Sequence, residues 1–231
     1  MTRSCPRPRP RAHAGARVAL WALALAAWLA SSARADRHEA AIAVRPAGQL
    51  ARIADRGTGE RAVVPGGGLA GGLSWGLRNW LDVGGELAVS SFGEASYELA
   101  TLPVGANPRT GSLSRRTRTM QLRGLATLRL GVGWIPTIQL AVGAGARQRS
   151  AARLRTSASQ MELVLVPDGE DAELALDLVA ALRIGLDRRL TRHWTIGASV
   201  GAAHCLGVGT PDMQLADATI AISYNWYHLW W

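Results

Sequence analysis

Apolar residues recur at every second position over most of the chain. Leu69, Gly71, Leu73, Trp75 and Leu77 share one parity against Ala70, Gly72, Ser74 and Gly76. Leu81, Val83, Gly85, Leu87 and Val89 oppose Asp82, Gly84, Glu86, Ala88 and Ser90. Met120, Leu122, Ala126, Leu128 and Leu130 oppose Gln121, Arg123, Thr127, Arg129 and Gly131, and Ile138, Leu140, Val142 and Ala144 face away from Thr137, Gln139, Ala141 and Gly143. The same period governs runs from Leu174 to Leu186, Trp194 to Leu206 and Ala218 to Trp226. A two-residue period puts alternate side chains on opposite faces of a strand. The Leu174 run is rich in helix formers, yet it lacks the three-and-four spacing of an amphipathic helix.

These seven strands gain a weaker eighth at 39–45, where Ala40, Ile42 and Val44 alternate before Pro46, a residue that restricts ladder pairing. An even number returns both ends of the chain to one side. Connections alternate in length: short at 78–80, 133–136 and 187–192, long at 54–65, 92–116 and 147–170, with a lesser one at 207–212. The pattern predicts an all-β fold, a transmembrane up-and-down antiparallel β-barrel of eight strands with short periplasmic turns and longer extracellular loops.

A soluble lipocalin-like carrier also has eight alternating strands, but it turns the apolar face inward and gives the other face to water. Here the second face is mostly Gly, Ala, Ser and Thr with a few charges. Such a face suits the narrow interior of an eight-stranded barrel better than a water surface. The tryptophans point the same way. Trp75, Trp80, Trp134 and Trp194 adjoin the short turns, and Trp226, Trp230 and Trp231 close the last strand, so all seven are expected at one rim. Indole rings favour a membrane interface, where an apolar body and an N–H are both accommodated.

The leader sharpens the compartment. Arg3, Arg7, Arg9, Arg11 and Arg17 precede an apolar run at 18–30, and Ala33-Arg34-Ala35 offers a small-x-small cleavage site. This is the layout of a secretory signal peptide over 1–35, cleaved after Ala35, followed by a barrel domain over 36–231. All 26 basic residues are arginine; six leave with the leader, and 20 then face 17 acids, so the formal +9 falls to about +3. General nucleic-acid binding loses its main support. Cys5 also leaves, Cys205 remains alone, and no CxxC or CxxH spacing suggests a metal, so neither metal, cofactor nor catalytic residue is assigned.

The chain resembles the small OmpA/OmpX-type outer-membrane barrels of Gram-negative bacteria over about 39–231, on pattern rather than on an internal motif. The resemblance implies an outer-membrane location and delivery by the barrel assembly machinery through a C-terminal strand ending in an aromatic residue. Trp231 fits that last place, but the phase of Trp226, Tyr224 and Ile222 belongs to Trp230, so either residue fills the role.

Two charged sets stand out. Glu86, Arg123, Arg129, Asp177 and Arg183 all carry the interior parity. Counting residues up from the short turns pairs Glu86 with Arg129, or with Arg183, and Arg123 with Asp177, since buried charges demand partners. Arg115, Arg116, Arg118, Arg147, Arg149, Arg153 and Arg155 gather where two strands meet long loops. They read either as solvated loop residues or as a cationic rim for lipopolysaccharide phosphates, which guanidinium groups match in geometry. The functional expectation is a monomeric, non-enzymatic barrel in contact with outer-membrane lipid and lipopolysaccharide, with a filled polar lumen and a structural or interaction role through its loops. A narrow pore for small solutes is the alternative. Behind it come a periplasmic lipocalin-like carrier and a lipid-modifying enzyme, for which His204 beside Cys205 is the sole hint.

Overall fold

The computed structural model describes residues 39–55, 59–104, 107–131, 133–156, 162–165 and 172–227. The expected leader at 1–35, and with it Trp230 and Trp231, lie outside the described residues. Ten strands are present among those described: β1 (Glu39–Ala54), β2 (Arg61–Arg78), β3 (Leu81–Val104), β4 (Asn107–Arg129), β5 (Trp134–Ser150), β6 (Ala152–Thr156), β7 (Glu162–Leu165), β8 (Ala172–Arg189), β9 (Trp194–Gly207) and β10 (Met213–Tyr227). Eight of them form a closed antiparallel ring in the order β3-β2-β1-β10-β9-β8-β5-β4, with β4 returning to β3. Closure leaves no unpaired edge in the ring, the condition for a sheet to span a membrane. No described helix is long and apolar enough to cross one.

The weak first strand proves to be a full stave. It pairs with β10 on one side and β2 on the other, and it continues nine residues beyond Arg45. The ladder toward β10 skips Arg45 and Pro46, while that toward β2 runs unbroken through both. A proline lacks one N–H, so one neighbour loses a bond and the other does not. In the β4–β5 turn, Gly131 (φ 114°) and Gly133 (φ 83°) take backbone angles that side-chain-bearing residues resist.

The faces settle which solvent the barrel meets. Leu122 and Val142 are each 67% exposed, whereas Glu86 and Arg123 are 1% and 4% exposed. Leu73, Leu140, Leu182, Ile184, Val200, Ile220 and Ile222 join the outward set. A water-soluble carrier would hide these side chains, so the lipocalin-like reading fails. A continuous apolar exterior around a closed polar-lined ring is the exterior of a membrane barrel.

The long loops at 92–116 and 147–170 are a correction. Much of each is strand: β3 and β4 run on together to Val104 and Asn107, β5 reaches Ser150, and β6 lies against β4 above the ring with β7 beside it. The segment at 54–65 shrinks to the short link between β1 and β2. The alternation could not be followed because the β3–β4 register shifts between Phe92 and Glu94 and again between Tyr97 and Ala100. Each bulge inserts a residue and flips the inward parity. Thus Phe92 is inward, but so are Ala95 and Tyr97.

These residues build something the periodicity had concealed. Phe92, Tyr97, Ile53, Val64, Leu113, Val179, Met213 and Leu215 pack inside the outer half of the ring as an apolar core around Cys205. The lumen is therefore polar in its middle and lower parts, while toward the loop side this apolar core shares the interior with buried Arg147, Arg149 and Asp177. Cys205 is 0% exposed. In the folded protein its thiol is expected to resist maleimide over hours and to label within minutes once urea unfolds the chain. In a chain without Cys5, rapid labelling of the folded band would mean that the core is open.

Candidate functional site

The polar lumen is organised around one carboxylate. Glu86 on β3 lies directly opposite Arg123 on β4 in the ladder, and it receives three guanidinium groups from three strands. Arg45 on β1 approaches to 2.6 Å, Arg123 to 2.8 Å and Arg183 on β8 to 3.1 Å. Arg183 also reaches Asp217 on β10 at 3.1 Å and donates to the side-chain carbonyl of Gln139 on β5 at 3.2 Å. Six of the eight staves thus converge on one knot across the interior. Each partner sits on the small-residue phase, and glycines leave room for the long side chains. At Gly201, for example, a Cβ would fall 2.5 Å from the Arg183 side chain.

The neighbouring pairs differ from those expected by counting. Arg129 meets Asp82 at 2.6 Å and Glu39 at 3.9 Å, not Glu86; Glu39 is shared with Arg189. Asp177 meets Arg147 at 2.7 Å, not Arg123. Glu86 and Arg183 are the one expected pair that the structure brings together. The physical reason is stagger. Strands in a closed barrel are offset from one another, so equal distances from their short turns are not equal heights. The expected charged set leaves out Arg45, Asp217 and Glu39, and it leaves out Asp82 although its parity is inward. Arg45 and Asp217 sit at the margins of runs whose alternation was less clear, and their parity was the signal available.

Below the knot, a small cavity of about 50 Å³ is lined by Asp82, Arg129, Thr137, Asp187 and Ser223 among others. Above it, Arg147 is fully buried and donates to Asp177, to the Thr210 hydroxyl at 2.9 Å and to the Pro211 carbonyl at 2.9 Å, drawing the β9–β10 link over the lumen. Outside the membrane-spanning part, Asp212 accepts from the Gly207 N–H and from His204, contacts that hold its carboxyl below the usual range.

The seven-arginine rim therefore divides. Arg147 and Arg149 are corrected to lumen residues: both are buried, and Arg149 donates to the Ala54 carbonyl at 3.2 Å. Their strand continues past the expected loop boundary, and its odd positions point inward. Arg115 also takes the inward phase and is engaged by a partner, whereas Arg116, Arg118 and Arg153 are exposed. The side chain of Arg155 is outside the described set.

At the opposite rim the aromatic residues collect as the turns require. Ala40 is the cross-strand partner of both Trp75 and Trp226. Trp194 contacts Tyr224 edge-on at 5.2 Å, and Arg188 lies 5.0 Å over the Trp134 ring. Trp75, Trp80, Trp134 and Trp194 are all exposed.

No protein-family model matches the chain, and no curated protein matches it by sequence. Solved structures do match in shape. Neisserial surface protein A superimposes with a TM-score of 0.52 at 6% identity, over 80% of this chain and 96% of that one. The fold is that of a small outer-membrane barrel. Weaker likenesses are the Yersinia pestis attachment invasion locus protein Ail, seen with the heparin analogue sucrose octasulfate (TM-score 0.46, 13% identity, 83% of this chain and all of that one), and OprG of Pseudomonas aeruginosa (0.38, 12%, 85% and 99%). The barrel fold places the chain in the bacterial outer membrane, with an apolar exterior and, among the described residues, the tryptophans gathered at one rim.

Proposed function

We propose that this outer-membrane barrel is a closed scaffold, not a conduit, and that it works through the sheet carried beyond the membrane by β3, β4, β6 and β7. The observation that carries this reading is the Glu86 knot. A solute passing through would have to break three guanidinium contacts to one buried carboxylate, then thread the apolar core above. Removing either partner from a buried ion pair strands a charge, so the contacts do not open cheaply. The extended β3–β4 hairpin with β6 and β7 beside it is the part of the chain most available to a partner outside the cell. The interaction role and the absence of catalysis both belong to this reading.

A narrow pore is the competing reading, favoured by the cavity around Asp82 and Arg129. Planar-bilayer recording of the refolded mature chain separates the two. The scaffold reading expects no stepwise conductance above baseline in molar salt. Reproducible unitary steps that change on Glu86→Gln would establish the pore instead.

A further inference from the structure

The outer face carries two arginines that neither the lumen nor the external sheet explains. Arg52 lies on the lipid-facing phase of β1, twelve residues up from Ala40 and the tryptophan rim, and its cross-strand partners are Val63 and Gln214. At roughly 3.3 Å per residue and a tilt of about 45°, that is a climb of about 28 Å, against an apolar band about 25 Å tall. Arg52 thus stands at the opposite, outer interface. Arg61 on β2 shares its face two residues beyond Val63, a diagonal neighbour at about 7–8 Å. Both are exposed, and among the described residues neither makes an ion pair or hydrogen bond. The nearest acids along the chain, Asp55 and Glu60, have other partners.

Two like charges held side by side repel one another, and at the edge of an apolar belt they lack the full hydration that would screen them. An anion between them removes both penalties. Directly beneath lies a groove of about 790 Å³ on the lipid-facing surface, running across β1, β10, β9, β8 and β5. The register puts Leu50, Ala216, Ala202, Leu182 and Leu140 in one cross-strand row, so alanines form its floor between leucine walls. Its rim holds Gln214 and His204, adjacent to each other and to Arg52 in the next row, with His204 turned to Asp212 at 3.3 Å.

We infer that Arg52 and Arg61 bind the phosphate of an acylated outer-leaflet lipid whose chain lies in the alanine-floored groove below them. Guanidinium forks suit phosphate oxygens, and Gln214 adds a neutral donor. Apolar volume alone would admit any lipid tail; the paired cations at headgroup height select one that carries phosphate. The site shares no residue with the seven-arginine rim, and it stands whether or not the lumen conducts.

The test folds the mature chain into phosphatidylcholine vesicles containing bis-phosphorylated, hexa-acylated lipid A, extracts it into mild detergent and counts retained lipid by native mass spectrometry. Wild type should keep one lipid A per chain. Arg52→Gln with Arg61→Gln should lower retention at least tenfold, while Arg116→Gln with Arg118→Gln should leave it unchanged. Ala202→Trp, which fills the groove but spares the cations, should also lower it, and added inorganic pyrophosphate should not displace the bound lipid. Heat-shifted gel mobility confirms that each variant is folded. The inference is overturned if the Arg52/Arg61 pair is dispensable, if pyrophosphate alone displaces the lipid, or if the groove proves to be covered by a second copy of the chain.

Discussion

Replacing Glu86 by glutamine is expected to lower the folding stability of the barrel by about 3–5 kcal/mol, the usual cost of removing one partner from a buried ion pair. Glutamine keeps the shape and removes only the charge. Arg45, Arg123 and Arg183 then face one another with Asp217 as the remaining acid of the knot. The measurement is urea unfolding in lipid vesicles, followed by the mobility difference between folded and unfolded bands. Adding Arg123→Met to the glutamine variant should restore part of the loss, because one stranded cation disappears with it. Contacting residues are expected to be non-additive in this way. An unchanged urea midpoint for Glu86→Gln would show that water, not Glu86, balances these arginines.

Leu140→Arg should cost about 2–4 kcal/mol, the penalty for arginine on the lipid face of a barrel near the bilayer midplane. Leu140 is 57% exposed and lies six residues up β5 from Trp134, a climb of about 14 Å from the rim. On a water-facing surface the same change at so exposed a position would be close to neutral. The two substitutions therefore probe opposite faces of the wall, on β3 and β5, with β4 between them. One removes a charge that the interior needs, and the other adds a charge that the exterior cannot hydrate. Equilibrium unfolding of Leu140→Arg in vesicles reads the second effect, and a loss below about 0.5 kcal/mol, the range of an ordinary surface change, would argue that Leu140 does not face lipid.

How far the sequence could be read depended on whether inside and outside kept a constant phase. Through Leu81–Val89 or Ile138–Ala144 they do, because each stave alternates without a bulge. The ring, the aromatic rim and the inward set of Glu86, Arg123, Arg129, Asp177 and Arg183 are legible there. Past Phe92 the bulges reset the phase, so Ala95 and Tyr97 enter the lumen unannounced and the apolar core around Cys205 has no periodic signature. Arg147 and Arg149 misled for a related reason. Charged residues beyond the expected end of a strand look like loop residues until a partner such as Asp177 is seen on the next stave. Pro46 made β1 look short, although its missing donor concerns one neighbour only.

Pairing between staves was the least legible level. Glu86 stands opposite Arg123, a position that residue counts from the short turns placed at a different height. The offset between strands is set by barrel closure, a property of all eight together. Arg52 and Arg61 show a further limit. Each lies amid irregular sequence near the β1–β2 link, and only the ladder reveals that they share a face and stand above a groove.

The even positions of β5 face lipid, and the odd positions face a closed interior. Nitroxide labels placed one at a time at residues 138–142, in a Cys205→Ala background folded into vesicles, test this arrangement directly. Oxygen accessibility should alternate with a period of two, high at 138, 140 and 142, with little collision with a water-soluble nickel complex at any of the five. Strong nickel accessibility at 140 and 142 would contradict it, for those side chains would then be facing water.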